Sequence, residues 1–116
     1  MSSPTQHSLA HYRKLGYTCQ VVEHFNSFSH RRVDLFGYID IVAIKDGETG
    51  VLGIQTTSKA NMGARILKVK QEPIAKIWLA GGNRIYVDGW QKNKVGRYEL
   101  TQYEVTPENI FVNGNS

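Results

Sequence analysis

The sequence predicts an α+β (α/β) domain built on a mixed β-sheet, in the order αβββα(α)ββ. Three observations predict it. Tyr38 to Ile44 (YIDIVAI) is apolar on both faces except at Asp40, as a central strand is. A polar stretch containing Asp46-Gly47, a strong hairpin signal, separates it from a second apolar run, Val51 to Thr57 (VLGIQTT). Segments with helix caps and helical spacing lie on either side of this pair.

The elements follow in order. Ser3-Pro4 or Thr5 can start a helix and Gly16 can end it, with Leu9, Tyr12 and Leu15 or Tyr17 as a thin apolar stripe. Tyr17 to Phe25 (YTCQVVEHF) is rich in β-branched and aromatic residues and reads as a strand. Asn26 to Arg32 is polar and reads as a loop. The two strands of the hairpin come next. Ser58 or Asn61 can cap a second helix reaching about Gln71, with Ala60, Ala64 and Leu67 on one side and Arg65 and Lys68 nearer the other. Pro73 suits the first turn of a short helix, Ile74 to Ala80, closed by Gly81-Gly82. Arg84 to Val87 and Arg97 to Val105 read as strands, with Trp90 between them and a turn at Asn93 to Gly96. Thr106-Pro107-Glu108 starts a last helical turn, and the tail from Asn113 is expected to fray.

With 116 residues, 41% of them hydrophobic, the chain has enough for one modest core, so a single domain over 1–116 is expected. No apolar run approaches the roughly 20 residues that a membrane-spanning helix needs. The N-terminus lacks a charged-then-apolar signal pattern, and a cytoplasmic location is expected. The single cysteine, Cys19, has no internal disulfide partner and reads as a small buried hydrophobe. Fourteen Lys and Arg against ten Asp and Glu give a net charge of +4, which is compatible with a nucleic-acid partner without requiring one.

The chemistry concentrates between Asp34 and Lys59. A carboxylate inside an apolar strand is costly to bury without a cation or hydrogen-bond partner. Side chains two apart on a strand share a face, so the hairpin can set Asp40 beside Gln55. The Asp40 carboxylate, the Gln55 carbonyl oxygen and the Thr56 backbone carbonyl are hard oxygen ligands suited to Mg²⁺ or Mn²⁺. Such an ion can activate water and neutralise charge on a scissile phosphate. Gly53 leaves room for a substrate backbone or a neighbouring helix. Thr57 and Ser58 can cap the next helix or meet a phosphate at its N-terminus. Lys59, Arg65 and Lys68 can line a DNA groove or form a solvated helix face. Arg31 and Arg32 add cations before the central strand that can contact DNA or pair with Asp40. Asp34 reads as a loop cap or a partner for a basic residue. His7 and His11 are four apart, but no Glu lies between them to complete a zinc-protease pattern.

The order of elements, with Asp40 on one strand and Gln55 on the next, resembles the restriction-endonuclease-like nuclease superfamily. Its signature is an Asp followed on the next strand by (Asp/Glu)-x-Lys, and some members carry Gln-x-Lys. The resemblance covers about Leu9 to Val87. It implies that Asp40 and Gln55 hold Mg²⁺ or Mn²⁺, that Glu23 is the extra acid some members place on the first strand, and that DNA is cut. The lysine of the signature is Thr57 here, and Lys59 or Arg65 is the candidate replacement. The segments Arg32 to Gly37 and Trp78 to Gly82 are similar to those of small phage-encoded members, and the compact core is similar to that of Holliday-junction resolvases. The reaction implied is metal-dependent hydrolysis of duplex or branched DNA, and a homodimer is expected because one chain this small covers little DNA. The competing expectation is a non-catalytic member that binds DNA or a protein.

Overall fold

A computed structural model describes residues 3–110. Helix α1 (Pro4–Lys14) is capped by Ser3, whose hydroxyl accepts from the Gln6 N–H, and Pro4 occupies its first turn. Strand β1 (Thr18–Val21) follows, then a small hairpin of β2 (His24–Asn26) and β3 (Arg31–Val33), then β4 (Ile41–Ile44) and β5 (Leu52–Ser58). A 3₁₀ turn (Lys59–Asn61) leads into α2 (Met62–Lys70) and α3 (Pro73–Ala80), and β6 (Arg84–Lys92) and β7 (Tyr98–Val105) close the chain. The main sheet has the order β1-β4-β5-β6-β7. The β5–β6 pair is parallel and the other pairs are antiparallel. This is the mixed-sheet α+β class that the sequence predicts.

Helices cover both faces of the sheet. On one side, α1 packs Leu9 and Tyr12 against Ile41, Ala43, Leu52 and Ile54, with half-buried Cys19 at the margin. On the other, α2 and α3 pack Met62, Val69, Ala75 and Leu79 against Ile39, Ile85, Val87 and Val105. The alternation of β5 explains the sorting. Leu52, Ile54 and Thr56 face α1, while Gly53, Gln55 and Thr57 face α2 and α3. A Cβ on Gly53 would lie 3.0 Å from Ile39 Cδ1 and 3.2 Å from Trp78 Cζ2, so this glycine makes room for the core and a helix.

Four boundaries differ from the sequence reading. The first strand ends at Val21, and Phe25 belongs to the separate hairpin. The expected loop from Asn26 to Arg32 is the tip and return strand of that hairpin, because Asn26 Oδ1 accepts from the N–H groups of Phe28 and Ser29 and turns the chain. The central strand starts at Ile41 because Phe36 (φ 55°) and Gly37 (φ 83°) form a tight turn, bridged by Leu35 and Ile39. Strand β6 runs through Trp90 to Lys92, since β7 pairs with it over its length as far as Ile85. Thr106 to Ile110 forms the expected turn, with the Ile110 N–H bonded to the Thr106 carbonyl. The tail from Asn113 lies outside the described residues.

Candidate functional site

The site forms where β4 begins and β5 ends. The Val22 N–H donates to the Asp40 carbonyl, and the Asp40 N–H donates to the Ile54 carbonyl, which fixes Asp40 between β1 and β5. Asp40 is 4% exposed. Its Oδ2 accepts from Gln55 Nε2 at 2.8 Å, the Thr56 N–H at 2.7 Å and the Thr56 hydroxyl at 3.1 Å. Asp40 and Gln55 are therefore side by side, as the hairpin pattern predicts. The N–H and C=O of a strand residue leave from the same edge, so the Thr56 carbonyl also projects toward the β4 side. Thr56 is tied further to α1, its hydroxyl lying 2.9 Å from that of Thr5.

Two more acids converge on Asp40. Glu23 stands between β1 and β2, and Asp34 just after β3. One ligand oxygen from each of Glu23, Asp34 and Asp40 lies within 4.8 Å of the others. Sequence reasoning missed Asp34 as a member of this cluster. Its spacing from Asp40 carries no strand periodicity, and only the turn at Phe36-Gly37 folds it back. The crowding has an electrostatic result. Burial pushes the Asp40 carboxyl up to about 7, helped by Asp34, which accepts from the protonated form, and by the negative charges of Asp34 and Glu23. The Thr56 N–H opposes the rise.

Gln55 is 1% exposed, and its Oε1 has no hydrogen-bond partner while its Nε2 donates to Asp40. An unpartnered buried amide oxygen costs about 1–3 kcal/mol. It is the amide nitrogen of Gln55 that meets Asp40, so only with the amide turned over could its oxygen join the three carboxylates as a hard ligand for Mg²⁺ or Mn²⁺.

A cleft of about 590 Å³ opens over these groups. Glu23, Arg32, Asp34 and Asp40 form one wall, Thr56, Thr57 and Ser58 the floor, and Asn61, Arg65 and Lys68 of α2 the other wall. Pro4 and Thr5 at the start of α1 close one end. Arg32 pairs with Glu23 at 3.4 Å with its side chain 59% exposed. Ser58 caps the 3₁₀ turn through the Asn61 N–H. That cap turns the chain before Lys59, which is exposed and lies outside the cleft lining, as does Arg31. The structure thus brings Asp40, Glu23, Thr57, Ser58, Arg32, Arg65 and Lys68 around one space, keeps Gln55 buried against Asp40, and leaves Lys59 and Arg31 apart from it.

His7 and His11 do not join this site. His7 packs against Trp90 and Tyr98, its centroid 4.0 Å from that of Tyr98, and His11 meets Trp90 and Tyr12 edge-on. No protein-family model, curated protein or solved structure matches this chain. No helix among the described residues is long and apolar enough to cross a membrane.

Proposed function

We infer that this chain is a divalent-metal-dependent DNA endonuclease with a restriction-endonuclease-like core. One observation carries the reading. Three carboxylates meet where β4 begins and β5 ends, in a cleft that Arg65 and Lys68 also line. Acids alone repel a phosphodiester. Acids that hold a hard cation, faced by Arg65 and Lys68, can accept one.

Asp40 and Gln55 would hold the ion with one of Glu23 and Asp34, and the Thr56 carbonyl lies on the same strand edge. Bound Mg²⁺ supplies charge neutralisation and a water of lowered pKa. The protein supplies the rest. Arg65 and Lys68 bind and orient the phosphate backbone. Thr57 and Ser58 offer hydroxyls at the cleft floor. A Glu23 or Asp34 carboxylate outside the ion's shell can take the proton of the attacking water. A homodimer, expected because one chain this small covers little DNA, would present two such clefts to the two strands of a duplex.

A second reading is favoured by one observation. The signature lysine is Thr57, and Lys59 stands outside the cleft, so the cation closest in sequence is missing. On that reading the chain binds DNA through the same cleft without cutting it. Incubation of supercoiled and branched DNA with Mg²⁺ or Mn²⁺, with Asp40→Ala as control, tests the first reading. Metal-dependent nicking that Asp40→Ala abolishes is expected. Salt-sensitive binding with intact DNA at every metal leaves the second reading, and absence of binding removes both.

A further inference from the structure

A ten-residue excursion leaves the acid cluster and returns to it. Glu23 precedes β2 and Asp34 follows β3, so the hairpin between them is rooted in the cleft. His24 pairs with Val33 and Asn26 with Arg31, which leaves residues 27–30 as the tip. There Phe28 is 97% exposed, and Phe25 on the shaft is 55% exposed. Both rings leave apolar surface in water, away from the main core.

The chemistry of the arm is one-sided. Residues 24–33 include Arg31, Arg32, His24 and His30 and no acid. Arg32 belongs both to the arm and to the cleft lining, so cations of the arm and of α2, Arg65 and Lys68, line the cleft that holds the acid site. An aromatic ring on a basic arm, continuous with a phosphate-accepting cleft, matches the way proteins push apolar side chains between base steps.

We propose that the β2–β3 hairpin is a DNA wedge that inserts Phe28 between stacked bases of the duplex held in the cleft. The proposal rests on the reading of that cleft as a DNA site. At about 3.3 Å per residue, the four or five residues from Glu23 to the tip reach roughly 15 Å. That is about four base steps along a strand at about 3.4 Å each. The step that Phe28 enters therefore lies a few bases from the bound phosphate. A wedge pays for unstacking, so it selects steps that open easily: mismatches, pyrimidine–purine steps and branch points. The hairpin thereby makes locally weakened duplex the preferred substrate over uniform GC-rich DNA.

The experiment measures affinity in Ca²⁺, which occupies oxygen sites in place of Mg²⁺. Two duplexes are compared, one fully paired and GC-rich and one with a central mismatch flanked by 2-aminopurine. Wild type, Phe28→Ala, Phe28→Leu and Arg65→Ala are titrated across a salt series. Wild type is expected to prefer the mismatched duplex by roughly tenfold or more and to raise 2-aminopurine fluorescence on binding. Phe28→Ala should lose roughly 5- to 150-fold on that duplex, the usual worth of a base–aromatic stack, and lose the fluorescence rise. It should keep the wild-type salt slope. Phe28→Leu should retain most of the preference, and Arg65→Ala should weaken both duplexes alike. A Phe28→Ala variant with unchanged preference and fluorescence overturns the wedge and leaves the cleft reading standing. Wild type that shows no salt-sensitive binding to either duplex overturns both.

Discussion

Replacing Asp40 by Asn should stabilise the metal-free protein at pH 8 and abolish its response to Mg²⁺. The Asp40 carboxyl titrates at about 7, against 3.8 when unperturbed. Between those values the folded protein holds a proton that the unfolded chain has released. The acid's contribution to stability is therefore greatest below pH 3.8 and is lost as pH rises to about 7. At about 1.36 kcal/mol per pKa unit, the gap sets a ceiling of roughly 4 kcal/mol on what ionised Asp40 costs at pH 8. Water in the open cleft and local relaxation lower that figure, and half of it, about 2 kcal/mol, is a working value. Asn keeps an oxygen to accept from Gln55 and Thr56 and turns an amide toward Glu23 and Asp34, so it removes the charge without orphaning its donors. A chain of 116 residues unfolds with an entropy of roughly 0.24 kcal/mol/K, so about 2 kcal/mol raises Tm by roughly 8 °C. Mg²⁺ at about 100 times its Kd should add about 2.7 kcal/mol to wild type and nothing to Asp40→Asn. Thermal melts of both proteins at pH 5 and pH 8, with Mg²⁺ and with chelator, give all the values. The difference between the proteins should grow from pH 5 to pH 8. Equal melting at pH 8 in chelator would refute the electrostatic reasoning, and equal Mg²⁺ shifts would refute the site.

The remaining predictions concern other parts of the same frame. Arg65→Ala and Lys68→Ala should each weaken binding to duplex DNA and flatten the log–log salt dependence by about 0.9, one phosphate contact apiece, as read by fluorescence anisotropy at several salt concentrations. Thr57→Lys should raise the Mg²⁺-dependent cleavage rate about tenfold or more in single-turnover assays; an unchanged rate would mean that Arg65 or Lys68 already serves the phosphate. Gln55→Glu should tighten Mg²⁺ binding, measured calorimetrically, while lowering Tm in chelator at pH 8, because it adds a fourth charge to the cluster. Asp88→Ala should cost roughly 2–4 kcal/mol in urea unfolding. This fully buried acid accepts from Ser8 at 2.8 Å and from Tyr12 at 2.9 Å, and its loss leaves both hydroxyls without an acceptor, though Ser8 still accepts from Trp90 and Tyr12 from Gln102.

How far the sequence reached differs between elements. The α1 cap, the Asp46-Gly47 turn, the α2 and α3 boundaries and the Asp40–Gln55 pairing were legible because each depends on neighbours a few residues away or on strict alternation. Alternation predicts that residues two apart share a face, and the hairpin turn sets the register that brings residue 40 to residue 55. Asp34, Thr5 and Asp88 were not legible in the same way. Asp34 joins the cluster through a turn with two positive-φ residues, one of them the non-glycine Phe36. Thr5 meets Thr56 across 51 residues, and Ser8 and Tyr12 meet Asp88 across about 80.

The α+β class, the helix ends, the central hairpin and the adjacency of one acid and one amide follow from the order of residues alone. Local propensity and a period of two suffice for those. Only the tertiary structure decided that three acids share one cleft, that Arg65 and Lys68 face them while Lys59 turns away, and that the hairpin carrying Phe28 stands at its edge. The physical reason is that each of these depends on where the chain goes between elements. A capped 3₁₀ turn, two left-handed residues and the packing of α1 across β5 and β6 set those paths, and long-range packing leaves no periodic trace in sequence.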